Sequence, residues 1–382
     1  MKKIMTIIGA RPQIIKAAAI SRVFNEKYTD KVTELIVHTG QHYDENMSEV
    51  FFEELGIPKP FGQLNTGSGS HGNQTGAMLR DLEYLMLKHS PDAVIVYGDT
   101  NSTLAGSLAA SKIGIPVIHI EAGLRSFNKS MPEEINRIMT DHVSSLMYSP
   151  TRQGIDNLKR EGVDVENGGK ATIDHPVVYH CGDIMYDNSL FFSTLATQKS
   201  TILESIGCDG KNYILATVHR NTNTDDPERL RSIFEGLLML ANDHKMHVIL
   251  PLHPRTRKYL EQTTGEALLS ALTESGYMHL IEPVGFLDMI RLEQEASLVV
   301  TDSGGVQKEA YFFRKPCVVL REETEWVELI ETGAAKLVGA DRERLMDAVN
   351  SFLEQPPLDF PPIFGDGKAA EFICETILND LF

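Results

Sequence analysis

The chain has 382 residues, more than the roughly 100–200 of a single domain, and its 42% hydrophobic and 23% charged content excludes a disordered, collagenous or fibrous protein. Its 36 Lys and Arg against 53 Asp and Glu leave a formal charge of -17, which sets a nucleic-acid duplex or an anionic membrane against net repulsion. An anionic small molecule stays admissible, because a few aimed cations and backbone N–H groups outweigh distant, screened charge.

The first predicted element is the apolar run at residues 4–8. It follows a signal-peptide-like start, but breaks too early at Gly9-Ala10-Arg11-Pro12 for a leader, and no later run reaches the ~18 residues of a spanning helix. Further runs at 33–38, 93–97, 117–120 and 146–149 alternate with amphipathic stretches, as buried parallel strands do in βαβ units. Residues 161–180, with three Gly, two Asp and one Pro and little periodicity, read as the join between two domains. The rhythm resumes at 213–218, 247–252, 279–281, 298–301 and 317–320. A Pro-rich stretch at 355–365 ends the second unit, and helical spacing of Ala369, Phe372, Ile373, Ile377 and Leu381 predicts a terminal helix able to return to the first. The expected domains are 1–178 with 366–382, and 179–365. Cys181, Cys208, Cys317 and Cys374 lack CxxC spacing or His partners in sequence, so neither a metal site nor a disulfide framework is expected, and reduced thiols fit a soluble, cytoplasmic protein.

Doubly wound domains place their ligand loops at the carboxyl ends of strands, which predicts an α/β protein of two Rossmann-like domains facing a cleft. The residues after the predicted strands suit that reading. Gly9-Ala10-Arg11-Pro12-Gln13, with Lys16 beyond it, offers a tight turn, helix-start amides and cations for an anion, although Arg11 alone is equally a surface cation. No GxGxxG or Walker A pattern occurs. Asp99 and Glu121 each follow a strand, and Glu133 opens a helix. Capping accounts for Asp99 and the helix dipole for Glu133 taken singly, but three acids at one sheet edge suit acid–base work. In the second half, His219-Arg220 ends a strand with a group suited to proton transfer near neutrality, whereas His253 reads as structural or ligand-lining. Ser303-Gly304-Gly305 turns a strand into a helix whose amides can hold an anion, and Glu309, one turn on, can accept from a ribose diol.

In order, GARPQIIK, GQH, GDTNSTLA, HIEAGLR, MPEEINR, VHR and DSGGVQKEA resemble the non-hydrolysing UDP-N-acetylglucosamine 2-epimerase family along nearly the whole chain. The resemblance implies a glycosyltransferase-B-like fold, a homodimer and a UDP-sugar substrate; ligand spacing suggests no metal, no cofactor is expected, and the net charge and lack of a long apolar run argue against nucleic-acid and membrane partners. The resemblance also implies interconversion of UDP-GlcNAc and UDP-ManNAc for surface-polysaccharide precursors by elimination of UDP, through a 2-acetamidoglucal, and re-addition. By the same resemblance Asp99, Glu121, Glu133, His219 and Arg137 are catalytic, with His219 protonating or orienting the diphosphate. Arg11, Lys16, Arg220, Ser303, Gly304, Gly305 and Glu309 bind UDP, and Gln41 and His42 match a regulatory substrate site. Asn73 and Thr222 depart from the family pattern, Thr222 replacing its usual Glu. GARPQ, RSFNxxMPEEINR and TEWVEL resemble the branch acting on UDP-2,3-diacetamido-2,3-dideoxyglucuronic acid. A glycosyltransferase of the same architecture would share the Ser303 loop but not the three acids. A hydrolysing relative would release UDP and N-acetylmannosamine, and a nucleotide-sugar sensor would not require His219 or the acids.

Overall fold

A computed structural model describes residues 1–41, 58–67, 69–263 and 265–382. The chain divides into two compact units, Met1–Asn188 with Pro362–Phe382, and Ser189–Pro361. These boundaries lie somewhat beyond the first junction expected from sequence and just before the second.

In the first unit seven parallel strands, β1 (Lys2–Ile8), β2 (Val32–His38), β3 (Gly62–Gln63), β4 (Ala93–Tyr97), β5 (Val117–Ile120), β6 (Leu146–Ser149) and β7 (Val177–His180), lie in the order β3-β2-β1-β4-β5-β6-β7. Every residue of β4, β5 and β6 is buried, as expected of central strands covered by helices on both faces. β3 has only two residues, and β7, although Val177 and Val178 are buried, only four, too short for a period to stand out; β7 falls at the end of the stretch read as a join. Helix Asn101–Lys112 packs close to the sheet through small residues: a Cβ on Gly106 would stand 3.2 Å from Val96 and 3.3 Å from Ile7.

The terminal helix Ala369–Asp380 belongs to this unit and buries Ile373, Cys374 and Ile377 completely. Asp187 accepts from the amides of Ala369 and Ala370 at 3.2 and 2.7 Å, and the phenols of Tyr148 and Tyr179 meet Thr376 and Asp380 at 2.8 and 2.7 Å. The first-unit boundary therefore passes Asp187. Deletion at residue 178 would remove the cap of the helix it is meant to retain.

The second unit repeats the topology with six parallel strands, β8 (Tyr213–Thr217), β9 (His247–Pro251), β10 (Met278–Ile281), β11 (Leu298–Thr301), β12 (Cys317–Val319) and β13 (Ala335–Leu337), in the order β10-β9-β8-β11-β12-β13. Both sheets thus reverse direction between the first and fourth of their strands, β1/β4 and β8/β11, where loops diverge and leave room for a ligand. The sequence periodicity located ten of these strands. β13, three residues at an edge, was not among them.

After β5 the chain passes Gly123 at φ +80, where an added Cβ would lie 2.3 Å from the Gly154 carbonyl oxygen. Gly123→Ala combines a backbone clash with a left-handed conformation and is expected to destabilise the protein by roughly 3–5 kcal/mol, read from denaturant unfolding.

Candidate active site

The residues flanking β1/β4 form one connected cluster. Gln13 ties the two loops: its carbonyl oxygen accepts from the amides of Gly9 and Ala10 at 2.8 and 3.2 Å, and its amide donates to the Tyr97 carbonyl at 2.8 Å and to Thr103 Oγ1 at 2.9 Å. The amides of Gly9 and Ala10, expected to face an anion, are therefore occupied from within. Gly9 is needed instead for close approach, since a Cβ there would sit 2.1 Å from Ser102 Oγ and 2.2 Å from Thr39 Oγ1. Arg11 is exposed at the start of helix Arg11–Lys27.

Capping does not account for Asp99. The cap of helix Asn101–Lys112 is Thr100, whose hydroxyl accepts from the Thr103 amide at 3.3 Å. Asp99 instead pairs with Arg137 NH1, and its side chain remains 33% exposed. Burial pushes its pKa up, Arg137 and Lys16 pull it down, and Glu121 and Glu133 push it up again, leaving it raised. The same set of interactions places four of the expected residues around the fifth.

Glu121 pairs with Lys16 Nζ, both side chains being largely buried at 8% and 14% exposure. Glu121 holds φ +72, a conformation disfavoured for a residue with a Cβ by about 1–3 kcal/mol, and such strain persists only where surrounding contacts impose it. Gly98, at φ +62, makes room for the pair: a Cβ there would lie 3.1 Å from Glu121 Oε2 and 3.4 Å from Lys16 Nζ. Beneath this loop, His119 Nδ1 meets Asp141 at 2.6 Å and Nε2 meets the Gly98 carbonyl at 2.8 Å, while Arg125 NH2 pairs with Asp141 at 2.7 Å. This fully buried network fixes the turns that present Asp99 and Glu121, and its members were not singled out from sequence.

On helix Pro132–Asp141 the neighbouring glutamates divide their roles. Glu134 is 1% exposed and accepts from the amides of Ser126 and Phe127 at 2.9 Å each and from Arg137 at 3.0 and 3.2 Å. Burial works against its charge, but the Ser126 amide and Arg137 hold its pKa below the ordinary value. Glu134 orients Arg137 toward Asp99. Glu133 stays exposed and contributes its charge to Asp99.

Gln41 accepts from the Ser102 amide and hydroxyl at 3.0 and 2.7 Å, so it joins the same helix start. His42 lies outside the described residues.

In the second unit the organising residue is Asp302, completely buried after β11. Its carboxylate accepts from the amides of His219 at 3.1 Å and Arg220 at 3.0 Å and from Asn223 Nδ2 at 3.1 Å, and lies 3.5 Å from His219 Nδ1. Asn223 also bonds the Leu320 carbonyl at 3.0 Å, whereas Thr222 points outward. The imidazole of His219 is 44% exposed; burial lowers its pKa, Asp302 raises it, and His253 and Arg220 lower it, with a net fall. The Ser303 hydroxyl is spent on the Val306 amide at the start of helix Gly304–Phe312. Arg220 NH2 lies 3.9 Å from Glu325, which Arg321 holds at 2.8 Å. A Cβ on Gly304 would meet Glu325 Oε1 at 2.2 Å, so a larger residue there would displace the Glu325 carboxylate.

Glu309 projects toward Gly305, whose added Cβ would lie 4.0 Å from Glu309 Oε2. Behind it, Glu293 on helix Phe286–Glu295 is 1% exposed, and neither of its oxygens has a hydrogen-bond donor among the described residues. The group it meets is the Glu309 carboxyl: burial first, then the charge of Glu309, pushes the pKa of Glu293 well up. Two carboxylates in contact repel unless one carries a proton, and burial together with the Glu309 charge favours the neutral acid form of Glu293. Nothing in local sequence signals this pairing across two helices.

The family model described as UDP-N-acetylglucosamine 2-epimerase matches residues 26–378. The chain is 50% identical to the UDP-2,3-diacetamido-2,3-dideoxy-D-glucuronate 2-epimerase of Pseudomonas aeruginosa over 98% of this chain and 99% of that protein. It is 42% identical to the UDP-N-acetylglucosamine 2-epimerase of Methanocaldococcus jannaschii over 98% of each. The crystal structure of the Methanocaldococcus jannaschii enzyme with UDP-GlcNAc and UDP superposes with a TM-score of 0.84 at 41% identity, covering 98% of this chain and 99% of that one. Among the described residues no helix is long and apolar enough to cross a membrane. The ordered motifs, the two doubly wound sheets and these full-length similarities agree: the chain belongs to the UDP-N-acetylglucosamine 2-epimerase family.

Proposed function

We propose that the protein inverts C2 of a UDP-2-acetamido sugar by eliminating and re-adding UDP. The observation that carries this is the grouping of Asp99, Glu121 and Glu133 with Lys16 and Arg137 at the carboxyl ends of adjacent strands β4 and β5 and the facing helix start. A carboxylate removes the C2 proton as the C1–O bond breaks, UDP departs with the bonding pair, and a C1=C2 glycal remains. Return of a proton to the opposite face of C2, with re-addition of the diphosphate oxygen at C1, completes the inversion. Asp99 suits proton transfer because its raised pKa lies nearer to neutrality than that of an ordinary Asp.

His219 and Arg220 meet the diphosphate, the Gly304 and Gly305 amides receive it at a helix start, and Glu309 takes the ribose hydroxyls. The family resemblance further supports a homodimer, which light scattering of the purified chain tests.

The 50% identity to the Pseudomonas aeruginosa enzyme, with GARPQ, RSFNxxMPEEINR and TEWVEL, favours the 2,3-diacetamido glucuronate as the sugar. The Methanocaldococcus jannaschii similarity keeps UDP-GlcNAc as the second reading. Incubation with each substrate in deuterated water separates them: deuterium appears at C2 of the epimer, faster with the true substrate. Absence of label from both overturns the proposal.

The Glu293–Glu309 pair adds a separate expectation. Glu293→Leu removes the proton donor behind Glu309 and is expected to raise KM roughly tenfold or more with little change in kcat, whereas Glu293→Gln, which still donates, restores it. Because a buried acid without another donor is replaced by an apolar group, thermal stability holds or rises in the Leu variant. Equal KM values in both variants would exclude a positioning role.

A further inference from the structure

Cys208, His247 and His279 lie far apart in sequence but converge in the second unit. Cys208 precedes β8, His247 opens β9, and His279 is the second residue of β10. Cys208 Sγ is 3.5 Å from His279 Nε2, His279 Nε2 is 2.8 Å from His247 Nδ1, and all three atoms fall within 4.8 Å of one another. We propose that these three side chains bind a divalent zinc ion.

The geometry suits that ion. Zinc bonds of about 2.0 Å to nitrogen and 2.3 Å to sulfur, arranged tetrahedrally, set the ligand atoms roughly 3.3–3.6 Å apart. The sulfur–nitrogen distance already matches, and the two nitrogens must separate slightly as their mutual hydrogen bond gives way. One thiolate with two imidazoles is a borderline-soft set that favours zinc over magnesium or calcium. The Cys208 residue is completely buried, while both histidines are partly exposed, so solvent water can supply the fourth ligand.

Lys211 is the charge that bears on all three groups. Burial lowers the pKa of both imidazoles, and Lys211 lowers it further; His247 also bears on His279. Burial raises the Cys208 thiol, partly offset by Lys211, so binding breaks its S–H bond, forms a zinc–sulfur bond and releases one proton to solvent. Thiolate and zinc together leave one net positive charge, which limits repulsion by the Lys211 ammonium.

Location assigns the role. All three residues sit at the amino ends of their strands or just before them, whereas His219, Asp302 and Ser303 follow carboxyl ends. Zinc here takes no part in epimerisation. It joins the loop before β8 to β9 and to the edge strand β10, and stabilises the folded state by mass action.

The test uses the full chain, stripped with a chelator and titrated with cobalt(II), whose sulfur-to-cobalt charge-transfer band reports thiolate ligation. One cobalt per chain with that band, displaced by zinc, is expected. Cys208→Ser should abolish the band, and His279→Gln should weaken zinc binding by more than ~100-fold, beyond the usual effect of losing an outer-sphere partner. Saturating zinc should raise the Tm of the wild-type chain but not of Cys208→Ser, with kcat/KM unchanged. UDP affinity equal to wild type shows that each variant is folded. Cobalt binding without the band, no stoichiometric site, or wild-type zinc affinity in both variants would overturn the proposal, and the wild-type titration decides it even if a variant fails to fold.

Discussion

Asp99→Asn is expected to lower kcat by roughly 10²–10⁴-fold, the range typical of a lost general acid–base group, while Tm stays level or rises. The two outcomes have one cause. Burial and the neighbouring carboxylates raise the pKa of Asp99 above that of an unfolded Asp, despite Arg137 and Lys16. A group with a raised folded pKa contributes stability that is complete below the unfolded pKa and lost as pH rises through the folded one. At neutral pH the ionised Asp99 is therefore a cost to folding that the neutral amide avoids, and Arg137 keeps Glu134 as a partner. For activity the sign is opposite, since the base must be ionised. The acid limb of kcat/KM should lie above the ordinary Asp range and disappear with the variant. Parallel loss of Tm and turnover would show instead that Asp99 supports the fold.

His219→Asn is expected to reduce kcat by roughly 10²–10³-fold and to abolish proton uptake on UDP binding. Burial lowers the pKa of His219 in the free protein, and Asp302 only partly restores it, so the neutral imidazole is favoured. A diphosphate placed against the exposed ring raises that pKa, because opposite charge favours the imidazolium. UDP binding then draws a proton from solvent and stores it where the departing oxygen needs it. Calorimetry in buffers of different ionisation enthalpy measures the uptake directly. A wild-type protein that takes up no proton would refute this role, leaving His219 as a neutral donor. Asp302 positions the loop, and Asp302→Ala should impair folding as well as turnover, since the amides of His219 and Arg220 would lose their acceptor.

How legible was the site? Asp99 and Glu121 could be placed from sequence because each follows a run of buried strand residues, and parallel strands carry their loops to one edge whatever the details of packing. The roles of Glu134, Asp302 and Glu293 carry no local sequence signal, for a common reason. Each acts through groups that tertiary structure brings to it: backbone amides of a turn, amides after a different strand, or a carboxyl on another helix. The loop Gly9–Gln13 went the other way. Its composition suited an anion, but the Gln13 side chain takes the first two amides, and only the folded chain decides which acceptor reaches them first.

By itself the sequence determined the two-part α/β organisation, most of the strands, the family motifs and the arrival of Asp99 and Glu121 after buried strands. Hydrophobic period and turn chemistry are local, so they survive in one dimension. Tertiary structure decided which acids are held by cations, which merely fix a turn, and that Glu293 is buried against a second carboxyl. It also gathered Cys208, His247 and His279, whose spacing predicted no metal site. Contacts between distant segments depend on strand order and register, and these are settled only when the sheets form.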